Sequence, residues 1–107
     1  MAKSKVETFI GFCIKARKIA LGVGAISSLK GGVHLVIVDG TAAKNSKEAA
    51  LKFKNKFSCP LIVCKSGFGD AVNKQDCKVA AIRDGQLAKA ILDNCDGNYE
   101  IYSGGDE

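Results

Sequence analysis

The chain has 107 residues, 47% of them hydrophobic and only one proline, which suits one layered domain and leaves little room for linker. Its net charge is +5, yet residues 1–90 hold all 16 Lys and Arg against six acids, while residues 91–107 hold five acids and no cation. No apolar run approaches the roughly 20 residues that span a bilayer, and MAKSKVETF lacks the apolar stretch and cleavage site of a secretory leader, so a cytoplasmic protein is expected.

The first predicted element is a long helix over 6–21, VETFIGFCIKARKIAL, with Phe9, Ile10, Cys13, Ala16, Ile19 and Ala20 on one stripe. Lys15, Arg17 and Lys18 fall mostly off that stripe. The glycine-rich LGVGAISSLKGG (21–32) follows, with a short helix expected from about Gly24 to Lys30. HLVIVDG (34–40) is an apolar run of strand length. NSKEAALKFKNKF (45–57) reads as a helix opened by a capping box, Asn45 with Glu48 three residues later. PLIVC (60–64) is a second strand, SGFGDAVN (66–73) holds a short helix, and KVAAI (78–82) is a third strand. DGQLAKAILDN (84–94) is a helix with Asp84 as N-cap and Leu87, Ala88, Ile91 and Leu92 turned inward. YEIY (99–102) reads as a short edge strand or as loop. Strands separated by helices of this length predict an α/β fold, a three-layer α/β/α sandwich around a mixed sheet of about four strands. Residues 1–94 form the expected domain and residues 95–107 an acidic tail.

The sequence argues against several chemistries. The glycine-rich stretch ends Ser28-Leu29-Lys30-Gly31-Gly32, without the Gly-Lys-Ser/Thr that brings a lysine and a hydroxyl to nucleotide phosphates. A dinucleotide fingerprint would follow a strand, whereas helix is expected before Gly22, and Ser27 stands where the third glycine belongs. The five cysteines are odd in number and form no C-x-x-C, and His34 is the single histidine, so neither a zinc site nor a disulfide framework is expected. His34 opens an apolar strand with no nucleophile beside it. The expectation is no catalytic residue, no cofactor and no metal.

The basic body instead has the charge of a polyanion partner, since binding to phosphates gains from counterion release. FIGFCIKARKIALG (9–22), HLVIVDGTAAKNSKEA (34–49), CPLIV (59–63), GFGDAVNK (67–74) and VAAIRDGQLAKAIL (79–92) follow one another in an order and spacing that resemble the ribosomal protein L-seven-Ae family, closest to its short bacterial members. The resemblance implies the same α/β/α sandwich and binding of kink-turn RNA at two places. One is the loop and helix start that reads Gly-x-Asn-Glu-x-x-Lys in kink-turn readers. It matches Gly22, Val23, Gly24, Ala25, Ile26, Ser27 and Ser28, so the base-reading asparagine and glutamate are replaced by Gly24 and Ala25, and the backbone-holding lysine by Ser28. The other matches residues 73–77 and offers Lys74, Gln75 and Asp76. A helix start at Gly24–Ile26 would present free N–H groups to a phosphate, with Lys15, Arg17, Lys18, Lys30 and Lys44 around it. The expected protein is a monomeric, non-enzymatic RNA-binding protein related to ribosomal proteins. The alternative is a protein-interaction module that keeps the fold without kink-turn recognition.

Overall fold

A computed structural model of the protein describes residues 5–65, 78–95 and 99–102. Its elements in chain order are α1 (Lys5–Lys15), β1 (Ile19–Leu21), α2 (Val23–Ser27), β2 (Leu35–Asp39), α3 (Lys44–Phe57), β3 (Leu61–Cys64), β4 (Val79–Ile82), α4 (Gly85–Asp93) and β5 (Tyr99–Ile101). The strands form one sheet in the order β1-β4-β2-β3-β5. β2 and β3 are parallel, and every other neighbouring pair is antiparallel. Helices cover both faces, so the expected three-layer sandwich is the observed one.

Burial on both faces explains why the strands read as unbroken apolar runs. All of β2 and all of β4 is buried. Leu35, Ile37, Ile62, Ala80 and Ile82 meet Val6, Ile10 and Cys13 of α1 and Ala88 and Ile91 of α4. Val36, Val38, Leu61, Val79 and Ala81 meet Ile26 of α2 and Ala50 and Phe53 of α3. Alanine is a poor strand former on its own, but Ala80 and Ala81 sit between two helical layers, where small side chains let both approach.

Two expectations are corrected. The first helix ends at Lys15 rather than near residue 21, because Arg17 takes the left-handed conformation with φ 58°. Its N–H donates to the Ile14 carbonyl at 3.1 Å and that of Lys18 to the Cys13 carbonyl at 2.8 Å, the paired closure of a Schellman turn. Ile19, Ala20 and Leu21 then form β1, with Ile19 and Leu21 packed on one core and Ala20 on the other. Three apolar residues fit either period, and the unpaired edge of β4 chose the strand.

The capping box of α3 does not form. The helix begins at Lys44 with Ala43 as N-cap and no side-chain cap. Asp39 organises the entry instead: its Oδ1 accepts the Thr41 N–H at 2.7 Å and the Thr41 hydroxyl at 2.6 Å. At α4 the expected cap is present, with Asp84 Oδ1 accepting the Leu87 N–H at 2.9 Å.

The mixed sheet expected to have about four strands has five, and YEIY, open between edge strand and loop, supplies one of them. The fifth, Tyr99–Ile101, comes from the segment expected as an acidic tail and pairs with β3. Tyr99 is 1% exposed in the core that also receives Cys95. One buried aromatic ring outweighs the acidic composition around it.

Candidate functional site

The strand directions bring one set of loops together. β1, β2 and β3 run one way, β4 and β5 the other, so the C-terminal ends of the first three and the N-terminal ends of the last two share one rim. Three backbone hydrogen bonds tie that rim laterally: Gly22 N–H to the Val79 carbonyl at 2.8 Å, Asp39 N–H to the Lys78 carbonyl at 2.8 Å, and Gly40 N–H to the Cys64 carbonyl at 2.7 Å.

Two glycines are needed there. Gly22, the N-cap of α2, has φ 90° and ψ 155°, a region open only to glycine. At Gly40 a Cβ would stand 3.0 Å from the Cys64 carbonyl oxygen and 3.3 Å from the Lys65 Cα, both main-chain atoms. The close approach joins the ends of the parallel pair β2–β3.

Charged side chains line the same rim, each beside a carboxylate. Lys78 Nζ lies 3.4 Å from Asp39 Oδ2, Lys65 Nζ 2.9 Å from Glu100 Oε2, and Lys44 Nζ 3.9 Å from Glu48 Oε2. Asp39 is 3% exposed. Burial pushes its pKa up, but the hydroxyl and N–H of Thr41 together with the Lys78 ammonium outweigh it, and the carboxyl sits below its ordinary value. The Lys44 and Lys65 pairs are exposed, hence weak, and can exchange a carboxylate for a phosphate.

Of the residues singled out in the sequence, Gly22, Val23, Gly24 and Ala25 lie at this rim, and Lys44 begins α3 beside them. Ser27 and Ser28 lie one turn on, their hydroxyls donating to the carbonyls of Val23 at 2.7 Å and Ala25 at 2.9 Å. Between α2 and α3 runs a groove of about 360 Å³ lined by Val23, Ser27, Asn45, Glu48 and Lys52. The helix start expected to offer a dipole to phosphate belongs to a five-residue helix, too short for much of one.

Lys15, Arg17, Lys18 and Lys30 do not join the set, which corrects the expected ring of cations around Gly24. The Lys18 carbonyl accepts the Arg83 N–H at 2.7 Å, and the His34 N–H donates to the Ile82 carbonyl at 2.9 Å, at the opposite rim. Four residues of extended chain separate Lys18 from Gly22, about 13 Å at strand spacing. Lys15 and Arg17 lead into that far end. So does Lys30, next to Leu29, whose carbonyl accepts the ammonium of Lys56 from the last turn of α3 at 3.1 Å. The reason is the early end of α1: with β1 in between, the basic run and the glycine loop occupy opposite ends of one strand. Lys74, Gln75 and Asp76 lie outside the described residues.

Sequence reasoning missed Lys65, Lys78 and Gly40 as rim residues. Their signal was a polar residue immediately outside each apolar run, but which end of a strand is shared depends on strand direction.

Elsewhere, His34 is exposed, with its ring 3.6 Å from where a Cβ on Gly85 would stand. Burial, and secondarily the nearby Asp84 charge, push the Cys13 thiol up to about 11, and burial raises that of Cys59. Both therefore stay protonated and poorly nucleophilic at neutral pH. Among the described residues no group of His, Cys, Asp and Glu could hold a metal ion, and no helix is long and apolar enough to cross a membrane.

No protein-family model and no curated protein matches this chain. Seven solved chains are similar to it in fold. One, described as a protein with unknown function from Bacillus halodurans C, has a TM-score of 0.70 at 22% identity, the match covering 85% of this chain and 96% of that one. At that identity the likeness extends to the fold alone.

Proposed function

We propose that this chain is a small, non-enzymatic, cytoplasmic RNA-binding protein related to ribosomal proteins, a monomer that takes structured RNA of kink-turn or ribosomal type along the rim bearing Gly22, Gly40, Lys44, Lys65 and Lys78. The observation that supports the reading is that the first grip implied by the family resemblance, the loop that opens at Gly22, shares its rim with unblocked glycine backbone and with the ammonium groups of Lys44, Lys65 and Lys78. The Gly22 N–H is bonded to the Val79 carbonyl, and Lys78 stands beside Asp39 on the same rim. Glycines that let a backbone come close, flanked by ammonium groups, position a phosphate backbone and read little sequence. Recognition would then rest on RNA shape.

The second reading, a protein-interaction module, has its own support. Gly24 and Ala25 offer no base-reading groups, the Ser27 and Ser28 hydroxyls are engaged by their own helix, and Val23 is 38% exposed. A gel-shift titration against a kink-turn RNA and against its sheared-pair mutant separates the two. Retention of either RNA at submicromolar protein supports RNA binding, and preference for the intact kink-turn supports specific recognition. Retention of neither at low salt leaves the interaction module.

A further inference from the structure

The positive charge of the helices is concentrated on one layer. α3 carries Lys44, Lys47, Lys52, Lys54 and Lys56 against the single acid Glu48, while α2 beside it carries no charge. On the other face α1 has Lys5 and Lys15 against Glu7, and α4 has Lys89 against Asp93. α3 also places its charges where a helix built only for stability would not. Lys44 and Lys47 sit at the N-terminal turn, where the peptide dipoles favour acids. Lys52 and Lys56 are one turn apart on the same side and repel each other.

Some of these ammonium groups have structural partners. Lys44 faces Glu48, and Lys56 binds the Leu29 carbonyl and lies 5.1 Å from the Phe57 ring centroid. Lys47 and Lys52 have no acidic partner among the described residues, and both are exposed. Lys52 also lines the α2–α3 groove with Asn45 and Ser27, and that groove opens onto the rim at Val23.

We infer that the outer face of α3 is a second polyanion surface, continuous with the rim, which carries the sugar-phosphate backbone of the bound RNA across the helix between Lys52, on the α2–α3 groove, and Lys47, which lines the groove on the other flank of α3 with Gly40, Leu51 and Tyr102. This inference rests on the reading that the protein binds RNA. It extends the rim, which already includes Lys44, by a track that holds RNA whatever its sequence. The chemistry favours RNA over other polyanions. A helix that lies on an anionic membrane needs an apolar side to insert, and Ala50 and Phe53 of α3 are buried against the sheet. An acidic protein partner would look for a cluster of exposed apolar anchors; among the described residues Phe12, Ile14 and Ile101 lie on other elements away from α3, and Val23 is the single exposed large apolar residue that borders the α2–α3 groove.

The test uses the full chain and a kink-turn RNA, with affinity measured by filter retention over a range of salt concentrations. Lys47→Gln/Lys52→Gln removes two charges from α3. Lys5→Gln/Lys89→Gln removes two from the opposite layer and holds the net charge equal. Glutamine is a good helix former at exposed sites, and thermal unfolding of both variants confirms that each is folded. Each phosphate that a lysine no longer neutralises makes the slope of log K against log[salt] shallower by about 0.7–0.9. The expected result is therefore a slope shallower by about 1.5 for the α3 pair and unchanged for the control pair. An unchanged slope for the α3 pair, or equal changes for both, overturns the inference and leaves RNA binding at the rim standing. No retention of RNA by the unaltered protein overturns both. Binding to phosphatidylserine vesicles without RNA retention does the same.

Discussion

Lys78 Nζ and Asp39 Oδ2 lie 3.4 Å apart at the end of the two central antiparallel strands, and the other Asp39 oxygen is held by Thr41. One buried carboxylate thereby joins the exit of β2, the entry to α3 and the entry to β4. The rim depends on it as a support.

Asp39→Asn is expected to destabilise the protein by about 1.5–3 kcal/mol at pH 7, the range for hydrogen bonds to a charged group. The sign with pH follows from the depressed pKa. The carboxylate contributes stability above its ordinary value of 3.8, and that contribution is lost as pH falls through the lower folded value. Urea unfolding at pH 7 and pH 3 should therefore show a large gap between wild type and variant at pH 7 and a narrower one at pH 3. A gap that widens in acid would contradict this account.

Gly40→Ala should cost about 1–3 kcal/mol, because its Cβ meets main-chain atoms that cannot turn aside. Gly11 in α1 has nothing within 4 Å of where a Cβ would stand, and Gly11→Ala should stabilise by about 0.5–1 kcal/mol. Opposite signs in paired denaturant titrations are the expected outcome.

For RNA binding, Lys65→Gln is expected to make the salt slope shallower by about 0.7–0.9, whereas Lys18→Gln and Lys30→Gln, at the far rim, leave it in place. Equal losses from both ends would mean that charge as a whole, and not the rim, attracts RNA.

Tyr99→Ala should lower stability by about 3–5 kcal/mol, as for other large aromatic residues cut out of a core. Chemical denaturation measures it directly. A loss under about 1 kcal/mol would show that β5 contributes little to the sheet.

The thiols provide a fifth check. At pH 8 in the folded protein, Cys95, which is partly exposed, should react with an alkylating reagent well before the buried Cys13, Cys59 and Cys64. Cys13 is raised from 9.0 to about 11, so the stability it contributes is complete below pH 9 and drains away as pH rises towards 11. Cys13→Ala should accordingly flatten the alkaline limb of a stability profile.

Several elements were legible because their signals are local. The apolar runs at 35–39, 61–64 and 79–82 are buried strands, since only a strand covered on both faces needs consecutive apolar residues. Asp84 caps α4 because an N-cap is decided within four residues. The glycine loop stands before a short helix as its residues suggest, and its lack of charged and amide side chains from Gly22 to Ser28 is visible residue by residue. Local signals failed where distant partners competed. Ile19–Leu21 left the helical stripe for the edge of β4, Asn45 lost its capping role to a turn built by Asp39, and Tyr99 drew an acidic segment into the sheet.

The sequence by itself determined the layer architecture, the excess of positive charge and the chemical poverty of the Gly22–Ser28 loop, because hydrophobic period, ionisable content and side-chain identity belong to the chain. Only the tertiary structure decided which cations stand beside that loop. Lys18 is four residues from Gly22 in the chain yet at the other end of its strand, while Lys78 is 56 residues away and reaches the same rim. Strand direction and pairing register set those distances, and both arise from pairings made across the sheet.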